Sequence, residues 1–504
     1  MGVIARQSIK GAIANYIGIA IGFLTTFFVL TRCLSEEEVG LTRMMVDAAT
    51  LFSSLAMLGT NSTLVRYFPW FKDGRTNHGI FAWTLLVPAV GFVVMLALFL
   101  IFKSSIIALY APGSPLAAEY FYMLPMITVF MMYTTVFETN ASVLLRITIP
   151  KIVREVGIRV FNLAAYILYG TGVINFTLFV WIFCGIWGLA LLLNLFYLIK
   201  LGQISLRIER GFPGRKMLRE MGSYSLFMTA TVLAGNVPLM NSLFLGAKAG
   251  AALTGIYAIA SYVANVVEVP YRSLGAIARP VVAQAVKDDN RAEVNRLVRQ
   301  VSLHQLLVSL LIFYVIWINI DAFFALLPGG EVYAKGAVVV LVLGLAKVIN
   351  SSLSIGTDVL NFSCHYRVGL LFIAVLTVTA ILMNTYLIDR WGIGGSAAAT
   401  LIAYAAYFLL LLTFVWRRLR VSLFSWGQAK TIVVMALAIA AATAWNHWLT
   451  PLILNTHHAT LSLIIDAVVK TLLLGGAVIL VVYAWRISPT VNELIDKTTQ
   501  RIKR

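Results

Sequence analysis

The sequence predicts an all-α polytopic membrane protein with about fourteen transmembrane helices in two halves, and three observations predict this class. Long apolar runs recur along the whole chain, and runs of about 20 residues can cross a bilayer as helices. Of the 504 residues, 60% are hydrophobic and only 12% are charged, whereas a soluble domain carries about 25% charged residues. The basic residues concentrate in alternate gaps between the runs, which is typical of multi-pass membrane proteins.

The apolar runs set the predicted bounds of the helices in chain order. Because no small-residue cleavage site follows the first run, we expect it to be retained as a membrane span and not removed as a signal peptide. The predicted spans are 11–32, 41–65, 79–102, 117–139, 151–171, 174–199, 221–246, 250–272, 302–326, 333–360, 367–388, 393–416, 429–448 and 461–485.

A polar stretch divides the spans into a first group of six and a second group of eight. Residues 200–219 contain six basic residues and one acid, which predicts a cytoplasmic connector. A faint repeat relates the two halves, since Gly40 and Gly255 open corresponding helices, and parallel repeats are a common plan in transporters. The predicted organisation is an N-lobe at 1–199, a basic linker at 200–220, a C-lobe at 221–416, two further spans at 417–485 and a tail at 486–504.

The distribution of basic residues predicts the orientation of the chain. With the N-terminus inside, 29 of the 39 lysines and arginines fall in inward segments, five in outward loops and five within spans. This asymmetry predicts that both termini are cytoplasmic. It also explains the net charge of +18 through topology and contact with anionic membrane lipids, so nucleic acid is not an expected partner.

The inward loop after the eighth span predicts a short amphipathic helix. Asn290 can cap its first turn, with Glu293 three residues later, and apolar side chains at Val294, Leu297, Val298 and Val301 form one stripe. We expect this helix to lie along the inner membrane surface.

Ionisable side chains within spans are energetically costly and are therefore candidate functional groups. Arg43 and Asp47 lie four residues apart on span 2, and Glu268 and Arg272 show the same spacing on span 8. Residues four apart share a helix face, so each pair is either an internal ion pair or a cation that faces a cavity and binds an anionic substrate. Arg272 lies near the inner end of span 8, so its side chain can alternatively extend to the membrane surface.

Two further cations lie within spans. Arg159 is about 12 Å into span 5, from a rise of ~1.5 Å per residue, and Glu155, its neighbour one turn away, can also pair with Lys151. Lys347, near the middle of span 10, has no acid three or four residues away, so it must face water, a partner helix or a ligand. Asp358 lies three turns from Lys347 on about the same face. The acids that are candidates for ion coupling or charge pairing are Asp47, Glu268 and Asp358.

The predicted substrate site therefore combines cations with uncharged polar groups. Asp466 and Lys470, four apart in the last span, are expected to form a structural pair. Polar side chains within spans usually make interhelical hydrogen bonds or simply pack, and sugar binding is the alternative. The candidate cavity cations are Arg43, Arg159, Arg272 and Lys347, and the candidate sugar contacts are Asn15, Tyr16, Asn265 and Asn350.

The sequence lacks motifs for catalysis, nucleotide binding and metal binding. It contains no G-x-x-x-x-G-K-[ST] and no G-x-S-x-G motif. Its three cysteines form no C-x-x-C and its six histidines form no H-x-x-x-H pair. We therefore predict a protein that is not an enzyme, with no catalytic residues, no cofactor and no metal site.

The region after the first span carries a family resemblance. The segments TRCLSEEEVGLTRM and LGTNSTLVRYFPWF resemble the polysaccharide flippase (Wzx-type) branch of the multidrug/oligosaccharidyl-lipid/polysaccharide (MOP) flippase superfamily. That branch has a recurring R-x-L-S-x-E-E-x-G pattern after span 1, which is matched here by Arg32, Leu34, Ser35, Glu37, Glu38 and Gly40.

The resemblance implies the MOP flippase fold, with two six-helix lobes in a V shape, related by pseudo-two-fold symmetry, and two extra C-terminal helices. It also implies a function: alternating access moves a glycan linked to undecaprenyl pyrophosphate from the cytoplasmic to the outer leaflet of the bacterial inner membrane, for cell-surface polysaccharide biosynthesis. A polysaccharide polymerase is a further implied partner. Related lipid II flippases have cavity cations in spans 1, 2 and 8. Arg43 and Arg272 fit spans 2 and 8, whereas span 1 has only Arg32, at its outer end.

Two other functions remain open from the sequence alone. A cation-coupled multidrug exporter of the same superfamily would need a buried carboxylate in the N-lobe; span 1 has no acid, but Asp47 keeps this alternative open. A membrane enzyme, such as an oligosaccharide polymerase or ligase, would be expected to have a large outward loop with catalytic groups, and the predicted outward loops are all short.

Overall fold

The computed structural model describes residues 3–72, 77–202, 205–206, 213–365, 367–450, 459–488, 492–493 and 496. These residues form helices and turns and contain no strand. The α-helices are α1 (Val3–Leu24), α2 (Thr31–Cys33), α3 (Glu36–Ala56), α4 (Thr60–Phe71), α5 (Ile80–Ile101), α6 (Lys103–Tyr110), α7 (Pro115–Tyr120), α8 (Leu124–Val143), α9 (Thr148–Ile152), α10 (Ile158–Gly170), α11 (Phe176–Leu201), α12 (Arg215–Gly235), α13 (Val237–Lys248), α14 (Ala251–Asn265), α15 (Val269–Lys287), α16 (Arg291–Ile318), α17 (Ile320–Leu326), α18 (Gly330–Tyr333), α19 (Ala337–Phe362), α20 (Val368–Phe414), α21 (Trp426–Trp448) and α22 (Ala459–Ala484).

The helices confirm the predicted all-α membrane fold. Among the described residues, ten helices are long and apolar enough to cross a membrane, and the bent pair α3–α4 makes an eleventh. The 47-residue helix α20 changes direction at Gly392, whose φ of 53° interrupts the helix between two predicted spans. Predicted span 5 is divided between α9 and α10 by a π-helical turn, and predicted span 7 between α12 and α13. With these interrupted spans included, the helices account for about fourteen crossings.

Packing divides the chain into two compact units, here called unit 1 (Met1–Ala258) and unit 2 (Ile259–Arg504). Unit 1 thus includes α12 and α13, which follow the basic linker in the sequence. The predicted lobes were defined by the internal repeat of the sequence, whereas these two units are defined by contacts between residues. The two divisions answer different questions, so the predicted domain bounds remain a prediction. Arg207 and Arg210 of the linker, and most of the C-terminal tail, lie outside the described residues.

The R-x-L-S-x-E-E-x-G segment after the first span forms the start of α3. Ser35 is the N-cap: its hydroxyl accepts a hydrogen bond from the Glu38 backbone N–H at 3.4 Å, and the Glu38 carboxylate accepts from the Ser35 N–H at 2.8 Å, which is a capping box. The other Glu38 oxygen accepts from the Tyr169 hydroxyl. A Cβ on Gly40 would overlap the Ala251 carbonyl oxygen. The pattern therefore caps a helix and permits close packing within unit 1.

The predicted amphipathic helix forms, but its expected surface location was wrong. The Asn290 side chain accepts from the Glu293 N–H at 3.1 Å, as predicted. However, α16 runs without a break from Arg291 into predicted span 9. Val294 and Val298 are buried in the core of unit 2, in a cluster that includes Leu411. The apolar stripe is covered by neighbouring helices of unit 2 and not by lipid, because a continuous helix carries it into the bundle.

Candidate functional site

The first ion pair of unit 1 joins residues four apart on α3. Arg43 Nε donates to Asp47 Oδ2 at 2.6 Å, and the Ser242 hydroxyl of α13 donates to the same oxygen at 2.6 Å. Asp47 is only 2% exposed. The predicted pairing is therefore present, and the pair is tied to a second helix of unit 1 by a charge-assisted hydrogen bond, which is stronger than a neutral one.

Arg159 also has its predicted acidic neighbour. Its guanidinium donates to Glu155 at 3.1 Å and to the backbone carbonyl of Gly18 on α1. Glu155 lies in the π-helical turn Val153–Gly157 that precedes α10, and such turns are frequent at functional positions. A Cβ on Gly22 would overlap the guanidinium, so α1 has glycine where the arginine side chain crosses it.

Unit 2 contains two ion pairs that link the same two helical segments. Lys347 Nζ of α19 donates to Glu268 at 3.2 Å, and the Asn350 amide donates to the other Glu268 oxygen at 2.8 Å. Further along, Arg279 of α15 donates to Asp358 at 3.1 Å. Lys347 therefore faces a partner helix, one of the three surroundings expected for it, and its partner is the acid that was predicted to pair with Arg272.

These two pairs show that the segments run in the same direction. The partners of each pair are 79 residues apart, so the contact register is constant over three helical turns, as in two parallel helices. Predicted spans 8 and 10 are both even-numbered, and the alternation of crossings requires them to be parallel. The charges alternate between the segments, because Glu268 and Arg279 lie on one and Lys347 and Asp358 on the other.

The remaining predicted positions have mixed surroundings. The side chain of Arg272 lies outside the described atoms, although its backbone is helical in α15. Asn15 and Tyr16 are exposed on α1, Asn265 is half-buried at the end of α14, and only Asn350 is joined to a predicted charged group, Glu268. Substrate contact by all of these residues stays a prediction.

The predicted structural pair in the last span is present. Lys470 Nζ lies 3.2 Å from Asp466, with side chains 5% and 3% exposed. The Asp466 carboxylate also accepts from the Trp445 indole N–H at 3.0 Å. These bonds link α21 and α22 within unit 2, which is a structural role.

The sequence did not predict a polar cavity of about 290 Å³ in unit 1. An ion pair between Glu138 of α8 and Arg154 lies in its wall, with a separation of 2.8 Å. Other lining side chains include Asn61 of α4, Thr134 of α8 and Trp187 of α11. The available signal was the polar face formed by Thr134 and Glu138, which lie four residues apart in an otherwise apolar span.

Four polar atoms of this cavity wall are buried and have no hydrogen-bond partner within the described part of the chain. They are Asn61 Oδ1, Thr134 Oγ1, Glu138 Oε1 and Trp187 Nε1. Buried polar groups normally have partners, so these atoms need water or a ligand. A second cavity of unit 1, of about 330 Å³, has a mostly apolar wall that includes Leu64, Trp83 and Leu226.

The comparisons with known proteins agree on one fold. A family model described as "Polysaccharide biosynthesis protein" matches residues 5–286. The structure is similar to the lipid II flippase MurJ in an inward closed conformation, with a TM-score of 0.68 and 12% identity over 95% of this chain and 100% of that chain. It is also similar to an inward-facing multidrug resistance MATE family transporter of the MOP superfamily, with a TM-score of 0.61 and 14% identity over 81% of this chain and 98% of that chain.

A third similar structure is a MOP superfamily transporter from Pyrococcus furiosus, described as having a binding pocket of reverse polarity. Its TM-score is 0.53, with 14% identity over 83% of this chain and 95% of that chain. A comparison with curated protein sequences finds no match. At these identities the structural likeness shows the fold of the superfamily and does not identify a substrate.

Proposed function

We propose, from the premise that this chain belongs to the polysaccharide biosynthesis protein family, that it is a flippase for a lipid-linked oligosaccharide. The proposed substrate is a glycan on undecaprenyl pyrophosphate, moved by alternating access from the cytoplasmic to the outer leaflet of a bacterial inner membrane. Both termini are proposed to be cytoplasmic, a polysaccharide polymerase is a proposed partner, and no catalytic step is assigned. The single observation that carries the proposal is the family match, since that family is described by polysaccharide biosynthesis.

The charges within the helices support an anionic substrate. An unpaired ion in a low-dielectric medium costs tens of kcal/mol, so a pyrophosphate that crosses the membrane needs fixed cations along its path. Arg43, Arg159 and Lys347 supply such cations within predicted spans, and each has a carboxylate within 3.2 Å. The paired carboxylates stabilise the cations between transport events, and arginine can bind phosphate oxygens through two parallel hydrogen bonds.

The second candidate function is a cation-coupled multidrug exporter. Its support is the buried carboxylate of Asp47 and the likeness to a multidrug resistance transporter. Against it, Asp47 accepts hydrogen bonds from Arg43 and Ser242, which reduces its capacity to hold a drug cation. The flippase is therefore the better-supported function.

Complementation separates these two functions. The chain is expressed in a bacterial strain that lacks its own glycan flippase, and surface glycan and resistance to cationic drugs are both measured. The flippase proposal expects restored surface glycan with unchanged drug resistance. Increased drug resistance without surface glycan, from protein that is present in the membrane, would establish the exporter instead.

Ion coupling is tested separately, through the response of transport to an imposed gradient. The proposed carriers are Asp47, Glu268 and Asp358, each of which has a cationic partner in the structure. If they couple transport, the activity that remains in the triple Asn/Gln/Asn variant in vesicles should be the same with and without a proton or sodium gradient. A variant that still responds to the gradient as the parent does would exclude these residues as carriers.

A further inference from the structure

The polar cavity of unit 1 has a wall suited to one class of ligand. Among its four unpartnered atoms, the Trp187 indole N–H only donates hydrogen bonds, whereas Asn61 Oδ1 and the free oxygen of the Glu138 carboxylate accept them. The Thr134 hydroxyl can do either. These atoms come from α4, α8 and α11, so the unsatisfied groups converge on one space from three helices of the same unit.

The ligand must therefore donate and accept hydrogen bonds at several points over a short distance. Hydroxyl groups do both, and a ring with several hydroxyl groups presents them at close spacing. A lipophilic drug cation has few such groups and would leave most of these atoms unsatisfied. The apolar part of the wall, which includes Met57, Met131 and Val232, can contact the C–H groups of a sugar ring.

The ion pair in the wall adds a charged edge to this cavity. Arg154 donates to one Glu138 oxygen at 2.8 Å, and the second oxygen is the unpartnered one. The Arg154 side chain is 52% exposed and that of Glu138 is 15% exposed, so the arginine lies at the more accessible side of the wall. Its guanidinium has five N–H donors, and the ion pair holds the carboxylate in place.

We propose that this cavity binds one hydroxyl-rich sugar ring of the transported glycan and that Asn61, Thr134, Glu138 and Trp187 determine which sugar is accepted. The proposal rests on the proposed flippase function. The volume of about 290 Å³ lies at the lower end of the range for small-molecule pockets, which suits one ring and not a whole oligosaccharide. The paired cations that are proposed to hold the pyrophosphate, Arg43, Arg159 and Lys347, are not among the residues that line this cavity.

Replacing the Thr134 hydroxyl by a methyl group tests whether this hydroxyl binds sugar or has a purely structural role. Thr134 is 2% exposed and its hydroxyl has no partner within the described residues, so Thr134→Val should leave the folded protein as stable as the parent or more so. If the hydroxyl binds sugar, glycan export should nevertheless fall about tenfold. Thr25→Val is the matched control, because its buried hydroxyl is also unpartnered but does not line the cavity, and it should export normally.

A tryptophan pair provides a second matched comparison. The indole N–H of Trp187 and that of Trp83 are both buried without a partner in the described chain, but Trp83 lines the apolar cavity. Trp187→Phe should reduce export, whereas Trp83→Phe should not. Equal export by both variants, or normal export by Thr134→Val, would overturn the proposal.

Direct binding is measured by protection of a cysteine in the cavity. Thr134→Cys is introduced into a chain whose Cys33, Cys184 and Cys364 are replaced, and the protein is purified in a sugar-free zwitterionic detergent. The rate of alkylation of the new thiol is measured without any added compound and then in the presence of methyl glucoside, methyl galactoside, methyl mannoside or mannitol. We expect at least one pyranoside to slow alkylation several-fold while mannitol, an open-chain polyol, does not. No protection by any pyranoside, or equal protection by mannitol, would refute the sugar subsite.

The two assays distinguish failure of the subsite from failure of the flippase proposal. If the parent chain restores surface glycan but Thr134→Cys is not protected, the chain is a flippase whose sugar site lies elsewhere. If ethidium slows alkylation and no pyranoside does, the cavity is a drug site, and both proposals fail together.

Discussion

Replacing Glu268 by glutamine is expected to destabilise unit 2 and to reduce glycan export. The Lys347 ammonium lies 3.2 Å from the Glu268 carboxylate, and both side chains are 10% exposed. At that distance, two unit charges attract by about 5 kcal/mol with an effective dielectric constant of about 20. Glutamine would leave the lysine charge buried without a counter-charge. Removal of one partner from a buried pair costs about 3–5 kcal/mol, so Glu268→Gln should lower the free energy of unfolding by that amount.

The double variant separates stability from function. Glu268→Gln with Lys347→Met removes both charges, and replacement of a whole buried pair by hydrophobic residues of similar volume is often neutral or stabilising. Glutamine is used at 268 because its amide oxygen can still accept the hydrogen bond from Asn350. The double variant should therefore regain the stability of the parent. If Lys347 contributes to binding of the pyrophosphate, export should stay low because the cation is absent.

The matched control is the ion pair in the last helix. Lys470 and Asp466 are also 3.2 Å apart and even less exposed, and we assign them no contact with substrate. Asp466→Asn should be destabilising, and Asp466→Asn with Lys470→Met should restore both stability and export.

The assay combines thermal unfolding of the detergent-purified protein with surface glycan measured by complementation, normalised to the amount of protein in the membrane. The informative quantity is the difference between the two double variants. If Glu268→Gln with Lys347→Met restores export as fully as the control does, then Lys347 has a structural role only, and its place among the cavity cations is wrong.

Three further outcomes follow from the helices of unit 1 and from the topology. Arg43→Ala should abolish export and Arg43→Lys should reduce it, since lysine lacks the planar fork; restoration of export by Arg43→Ala with Asp47→Ala would instead show a salt bridge with no substrate role. Gly40→Ala should reduce the amount of folded protein, measured by size-exclusion chromatography, because its Cβ would overlap the backbone of α14; a normal monodisperse peak would contradict this. Cysteines at Gly214 and Thr456, the latter outside the described residues, should be labelled from opposite sides of the membrane, Gly214 from the cytoplasm; labelling of both from one side would contradict the fourteen-span topology.

Ion pairs within one helix could be predicted from the sequence, because helical geometry alone brings residues four apart onto one face. Arg43 with Asp47 is the clearest example, and the 2.6 Å contact is present. The contact of Asp47 with Ser242 joins residues 195 positions apart, and no local spacing predicts it. It depends on how α3 and α13 pack, which only the folded chain shows.

Ion pairs between different helices could not be predicted from the sequence for the same reason. Lys347 has no acid within one turn, and three turns along its own helix lies Asp358. In the structure, both side chains point to the neighbouring segment, where Glu268 and Arg279 supply the counter-charges. The helical period was therefore enough to place Lys347 and Asp358 on one face. Their partners could not be predicted, because they depend on the parallel register of two helices that are distant in sequence.

Pairing of a cation does not by itself argue against substrate binding. An arginine or lysine that stays buried in a low-dielectric region when no substrate is bound needs a counter-charge, because an unpaired charge is too costly to bury. In the proposed flippase, a pyrophosphate would add to such a pair, and the neighbouring carboxylate would limit the net charge that accumulates. A ligand shifts a conformational equilibrium only by the difference in its affinity for the two states. If Arg43, Arg159 and Lys347 hold the substrate as proposed, their decisive property is how far their carboxylate contacts change when it binds. Double variants that remove a whole pair test that property more directly than single replacements do.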